Sequence, residues 1–177
     1  MNNPKKKYWF KKVCYALLIL IVFASCKTTV SPISYDNKNN KYANYSPKKK
    51  RALVKQLIET ATEQLGAKYL PGGTTAKGFD CSGLIYTTFK KIEISLPRTT
   101  IEMAKIGATI DTDEIKEGDL IFFKTNGKSV INHVGMVVDV LSDEIQFIHA
   151  ATSKGVMISS TKESYYKNAY VQANRIF

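Results

Sequence analysis

Cysteine is scarce in this chain, with three in 177 residues at positions 14, 26 and 81. Histidine is scarcer still, with only His133 and His149. So few cysteines rule out a small scaffold stapled by several disulfides and a zinc module built from repeated cysteine pairs. Acid is nearly missing from the first 51 residues, which hold 12 Lys/Arg and a single carboxylate, Asp36. The rest of the chain holds 14 basic and 14 acidic side chains. The net charge of +11 therefore belongs to the N-terminal segment. The body of the chain lacks the basic surplus of a polyanion-binding domain, and no nucleic-acid partner is expected. The apolar run Val13 to Phe23 is eleven residues long, whereas a membrane-spanning helix needs roughly 20. No internal repeat is visible, and the length suits one domain with a tail rather than two domains.

Lys5, Lys6, Lys7, Lys11 and Lys12 precede the apolar run, and the small residues Ala24 and Ser25 follow it. A positive region, an apolar region and a small-residue site, in that order, form a secretory signal. "FASC", residues 23 to 26, resembles the lipobox of bacterial lipoproteins, with Phe23 at a place where leucine is usual. The resemblance implies a lipidated cysteine at Cys26. Residues 1–25 are read as a lipoprotein signal peptide and 26–46 as the lipidated cysteine and a flexible, Asn/Lys-rich tether. Such a tether would reach on the order of 25 Å. Residues 47–177 are read as the folded domain, expected to be a monomer. The implied location is the cell envelope, on a membrane through the lipid, periplasmic or outer-membrane associated. Cys14 leaves with the leader and Cys26 carries lipid, so Cys81 has no disulfide partner. It is either an inert buried residue or a reactive thiol.

Ser46-Pro47 reads as a helix start, an N-cap followed by proline at the first helical position. Leu53, Leu57, Ile58, Ala61 and Leu65 recur at helical spacing after it. Residues 69–79 form a Pro/Gly/Thr loop. A second amphipathic helix follows from Ser82, and "LPRTT" breaks it and opens a short third helix, Ile101 to Ile106. The pattern then changes to strands at 118–123, 133–140 and 144–150, with shorter candidates at 155–160 and 169–177. Helices first and strands afterwards predict an α+β fold, N-terminal helices packed on an antiparallel β-sheet.

The chemistry-bearing residues fall at the ends of these elements. Cys81 lies where the glycine-rich loop meets a helix N-terminus. Unpaired backbone N–H groups and the helix dipole there favour thiolate over thiol. With a neighbouring imidazolium, a pKa of roughly 3–4 is expected, against about 8.5 for free cysteine. His133 opens one strand of a hairpin and His149 ends the other. An odd-length loop around Leu141 to Asp143 would place both on one face, nearly opposite and roughly 5 Å apart. Each histidine alone is more often structural than catalytic, but together with a lone cysteine they suggest a nucleophile and its base. A Cys/His/His zinc site has neither close ligand spacing nor an evident fourth ligand, so no metal is expected. Asp119 reads as structural, in a turn that leads into a strand.

"GFDCSGL", "LPRTT", "GDLIFF", "HVGMVVD" and "FIHAAT" follow one another between residues 78 and 152. This series resembles the NlpC-type family of papain-like cell-wall cysteine peptidases, from about Ala52 to Phe177. The resemblance implies a papain-like fold with Cys81 as nucleophile, His133 as general base and His149 as the residue that orients it. It also implies that Tyr69 positions substrate or assists the oxyanion site, and that Asp80 and Ser82 receive polar groups of the peptide. Arg98 lies in the family's "PR" motif near the cleft, although a surface arginine at a helix start is an equal reading. The backbone N–H of Cys81 is the expected oxyanion donor. A lipid anchor, a tether and one bare domain together resemble Spr-like lipoprotein endopeptidases. The implied substrate is peptidoglycan, cut in its stem peptides or cross-links, without a cofactor. The alternatives are a papain-like amidase or acyltransferase, and a catalytically silent wall-binding lipoprotein.

Overall fold

The computed structural model describes Tyr42 and residues 44–177. The expected signal peptide, Cys26 and most of the tether lie outside the described residues. Tyr42, assigned from the sequence to the tether, is 6% exposed and packs edge-on against Tyr45 and Phe177. The core therefore begins a few residues before the first helix.

Helix α1 spans Pro47–Thr62. Ser46 caps it, its Oγ accepting the Lys49 N–H at 3.3 Å. Leu57 and Ala61 face the core. Leu65, which continues the helical spacing, lies beyond the helix and is exposed. A small hairpin, β1 (Thr74–Thr75) and β2 (Gly78–Phe79), leads into α2 (Cys81–Lys91). The third helix, α3, is shorter than expected, Thr100–Met103, with Thr99 as its cap. Then follow β3 (Ala108–Ile110), β4 (Leu120–Phe123), β5 (His133–Leu141), β6 (Glu144–Ala151), β7 (Gly155–Ser160), α4 (Ser164–Ala169) and β8 (Tyr170–Arg175). No described helix is long and apolar enough to cross a membrane.

The strands from β3 onward form one antiparallel sheet in the order β3-β8-β4-β5-β6-β7. The architecture is the expected α+β. The sheet is buried on both faces at β4, which explains why "LIFF" there is a continuous apolar run rather than an alternating one. On one face Leu120, Phe122, Val134, Met136 and Ile148 pack with Leu57 of α1 and Leu84, Ile85 and Phe89 of α2. On the other, Ile121, Phe123, Val137 and Phe147 pack with Tyr166 and Ala169 of α4. Asp119, 2% exposed, accepts from Arg175 Nε at 2.9 Å, Arg175 Nη2 at 2.7 Å and the Lys116 N–H at 2.8 Å. A buried carboxylate with a bidentate arginine ties the start of β4 to the end of β8, the structural role expected of it.

Candidate active site

Cys81 is the first residue of α2 and Asp80 is the cap. Asp80 Oδ1 accepts the Gly83 N–H at 2.6 Å. Its Oδ2 accepts the Gly72 N–H at 2.9 Å, which pulls the glycine-rich loop onto the helix start. Gly83 makes this fit possible, because a Cβ there would run into the Gly73 carbonyl oxygen. The sequence "DCSG" is thus a cap, a thiol at the first turn, and a glycine that lets the loop close. The Cys81 thiol is free and 9% exposed. Its sulfur lies 3.6 Å from Thr100 Oγ1 and 3.9 Å from the Asn132 carbonyl oxygen.

The two histidines meet, His133 Nε2 lying 2.9 Å from His149 Nδ1. The route to this contact differs from the sequence expectation. Leu141 pairs with Glu144, so the hairpin loop has two residues, not an odd number. That register, carried through unbroken, would send the two histidines to opposite faces. A β-bulge corrects it. Val137 pairs with Phe147 and Asp139 with Gln146, leaving Val138 as the extra residue. Beyond the bulge Gly135 falls opposite His149, and His133 sits diagonally across on the same face. Gly135 has no room for a side chain, since a Cβ there would lie 2.7 Å from Phe147 Cδ2 and 3.4 Å from His149 Cβ.

Burial pushes the His133 pKa down to about 4. Burial, and then the charge of His133, push His149 down to about 3. Both rings are therefore neutral near pH 7. Burial also raises the Cys81 thiol above its ordinary value. Hydrogen bonds from Thr100 and the Val134 backbone oppose the rise, and the Asp80 charge adds to it. The expected resting thiolate beside an imidazolium is thus corrected to a neutral thiol beside neutral imidazoles. A helix N-terminus does favour the anion, but here it comes with a buried sulfur and a capping carboxylate.

A cleft of about 450 Å³ brings Tyr69, Cys81, Asn132, His133 and Tyr166 together. Behind His133, His149 is fully buried. Burial raises the Tyr69 hydroxyl pKa, as do Cys81 once ionised and the Asp80 charge, so the phenol stays protonated on the cleft wall. Asp80, Ser82 and Arg98, each assigned from the resemblance to the neighbourhood of the cleft, bond to one another. Arg98 Nη1 donates to Asp80 Oδ1 at 3.0 Å and to Ser82 Oγ at 2.8 Å, and Arg98 Nη2 donates to Asp80 Oδ2 at 2.7 Å. Burial alone would raise the Asp80 pKa, but the Arg98 hydrogen bonds and charge, with the Gly83 and Gly72 N–H groups, hold it below the usual carboxylate value.

Sequence reasoning missed Thr100, Asn132 and Tyr166. Thr100 was in view inside "LPRTT", but no spacing rule aims a helix-start hydroxyl at the thiol. Asn132 contributes a backbone carbonyl, which leaves no mark in a sequence. Tyr166 lies on a six-residue helix without periodicity. Among the described residues, no group of three or more His, Cys, Asp or Glu side chains is placed to hold a metal ion. A larger cavity of about 1040 Å³, between α1 and Val138 and Val140 of β5, contains neither Cys81 nor either histidine. The smaller cleft is the one that holds the free thiol and the His133 member of the imidazole pair, and chemistry follows those groups rather than volume.

Comparison with known proteins identifies the family. The family model described as NlpC/P60 family matches residues 66–175. A Haemophilus influenzae protein named "Probable endopeptidase NlpC homolog" is 37% identical over 83% of this chain and 77% of its own length. An Escherichia coli protein named "Murein DD-endopeptidase MepS/Murein LD-carboxypeptidase" is 36% identical over 68% of this chain, which spans 62% of it. Among solved structures, an NlpC/P60 family protein from Bacillus cereus superimposes with a TM-score of 0.63 at 32% identity. The match covers 70% of this chain and 40% of that one, so the relative carries more than the shared domain. In fold and in sequence, the chain belongs to the NlpC/P60 family.

Proposed function

We propose that the chain is a cysteine peptidase that hydrolyses peptide bonds in peptidoglycan, within stem peptides or their cross-links. The observation that carries this reading is one cleft holding a free thiol at a helix N-terminus and an imidazole whose second nitrogen is fixed by another imidazole at 2.9 Å. This is the arrangement of nucleophile, base and orienter. The names of the relatives supply the substrate class.

In the proposed reaction His133 takes the proton of the Cys81 thiol at Nδ1, its Nε2 being engaged with His149. The sulfur forms a bond to the peptide carbonyl carbon. The resulting oxyanion is met by the Cys81 N–H at the first turn of α2 and by the Tyr69 hydroxyl. On collapse the C–N bond breaks and the amine leaves with the proton from His133. Water, deprotonated by His133, then cleaves the thioester and restores the thiol. Asp80, Ser82 and Arg98 act in this reading as one ion-paired cluster that receives polar groups of the peptide and holds the loop beside Cys81. Residues 1–25 are the leader, Cys26 carries lipid, and the tether holds the domain, a monomer, in the cell envelope.

The test is a paired assay of purified sacculi and a short free stem peptide. Release of cut stem or cross-link peptides from sacculi is expected. Intact sacculi beside an efficiently cleaved free peptide would point instead to an enzyme of small, already released peptides.

A further inference from the structure

The pair of neutral imidazoles leaves one question open, which is where their two protons reside. A neutral ring carries one N–H, and the 2.9 Å contact between His133 Nε2 and His149 Nδ1 holds one proton between two nitrogens. If His133 owns it, His133 Nδ1 is bare and can take a proton from the thiol. If His149 owns it, His133 must carry its proton on Nδ1 and cannot act as a base. The choice is made at the far side of His149, because its Nε2 is an N–H donor in the first case and a bare acceptor in the second.

At that far side stands Tyr166 of α4, whose hydroxyl lies 3.3 Å from His149 Nε2. His149 is fully buried, so no bulk water competes for this nitrogen. The ring of Tyr166 is held edge-on by Phe123, at 5.4 Å between centroids, and by Phe147, at 5.0 Å. Burial raises the pKa of its phenol, so the group stays a neutral hydroxyl. Ser159 of β7 stands beside the same hydroxyl. Ser159 Oγ is buried and closes no hydrogen bond within bonding geometry, so the contact with Tyr166 is an approach rather than a formed bond. The buried oxygen of Ser159 has no other partner among the described residues and is available to accept the Tyr166 proton, which leaves a phenol lone pair for His149.

We infer that Tyr166 is a positioning residue, whose hydroxyl oxygen accepts the His149 Nε2–H and so fixes His133 in the tautomer with Nδ1 bare. The inference rests on the reading of His133 as the base. All the donors then point one way: His133 Nε2–H to His149 Nδ1, His149 Nε2–H to the Tyr166 oxygen, and Tyr166 O–H towards Ser159. The order survives protonation of His133, because the imidazolium still donates through Nε2. Without the phenol oxygen, His149 would have to bury an unpaired N–H against a phenyl ring. It would avoid this by holding its proton on Nδ1, against His133. His133 would then carry its own proton on Nδ1.

The test uses the full chain with ¹⁵N-labelled histidine. The chain has two histidines, so four ring nitrogens account for the spectrum. In the wild type near pH 7, both rings are expected to show a protonated Nε2 and a bare Nδ1. Tyr166→Phe keeps the ring that packs on Phe123 and Phe147 and removes only the oxygen. It is expected to move both protons to Nδ1, to lower kcat by about tenfold or more with KM little changed, and to leave the melting curve in place. A wild type with His149 protonated on Nδ1 would overturn the inference, as would a Tyr166→Phe spectrum identical to that of the wild type. The tautomers are read without substrate, so this result stands apart from whether the protein cuts peptidoglycan.

Discussion

A buried thiol flanked by a carboxylate gives up its proton only when a base is aimed at it. For this reason the roles proposed for Cys81, His133 and His149 are unequal. His133→Ala removes the group that moves the proton and is expected to abolish turnover. His149→Ala removes the group that holds the base in place and is expected to leave measurable activity, along with a greater stability loss because His149 is wholly buried. Steady-state rates and melting curves of the two variants check both orders, and a His149 variant less active than the His133 variant would reverse the assignment. Cys81, His133 and His149 were legible in the sequence because a lone cysteine at a loop-to-helix junction and two histidines in strands are unusual there. The protonation states were not legible. The sequence shows the helix N-terminus that favours a thiolate, but not the burial and the Asp80 charge that oppose it.

At the scale of elements, the hairpin β5–β6 decides whether there is a site at all. Its two-residue loop alone would separate the histidines, and the bulge at Val138 reunites them. Gly135→Ala is therefore expected to disturb the site from a position that does not line the cleft. The added Cβ meets Phe147 and the Ile148 carbonyl, so Phe147 and with it His149 must shift. A stability loss of about 1–3 kcal/mol and a fall in kcat larger than any change in KM are expected. A variant that matched the wild type in both would show that the close approach is not needed. The strands β4 to β8 and the first two helices were readable from periodicity and caps. The hairpin β1–β2, strand β3 and helix α4 were not, because elements of two to six residues carry too few positions to show a period. The bulge was equally hidden, since nothing in "HVGMVVDV" marks which residue is left unpaired.

Across the whole molecule, the buried histidines tie stability to pH. An unfolded histidine takes up a proton near pH 6.5, whereas the folded rings resist it until about 4 for His133 and about 3 for His149. Between about 6.5 and 4 the unfolded chain binds more protons, so stability falls as pH falls, by about 1.4 kcal/mol per pH unit for each histidine. Below about 3 both states are charged and this contribution levels off. Denaturant melts from pH 7.5 to 4 measure the slope, and a His133→Phe variant should lose part of it; a flat profile would contradict the neutral pair. The basic N-terminal segment makes a separate prediction. The mature protein should carry lipid on Cys26, and Cys26→Ser should release it from the membrane fraction; a mature mass without a lipid increment would contradict the proposed anchor. The proposed chemistry stands or falls with Cys81, the sole thiol of residues 47–177. Removing its sulfur is expected to cost less than about 2 kcal/mol, so Cys81→Ala should fold. The most direct measurement is the mass of the products released from purified sacculi by wild type and Cys81→Ala, side by side. The wild type should release muropeptides cut at a stem or cross-link peptide bond and the folded variant none; the same products from Cys81→Ala would contradict the account.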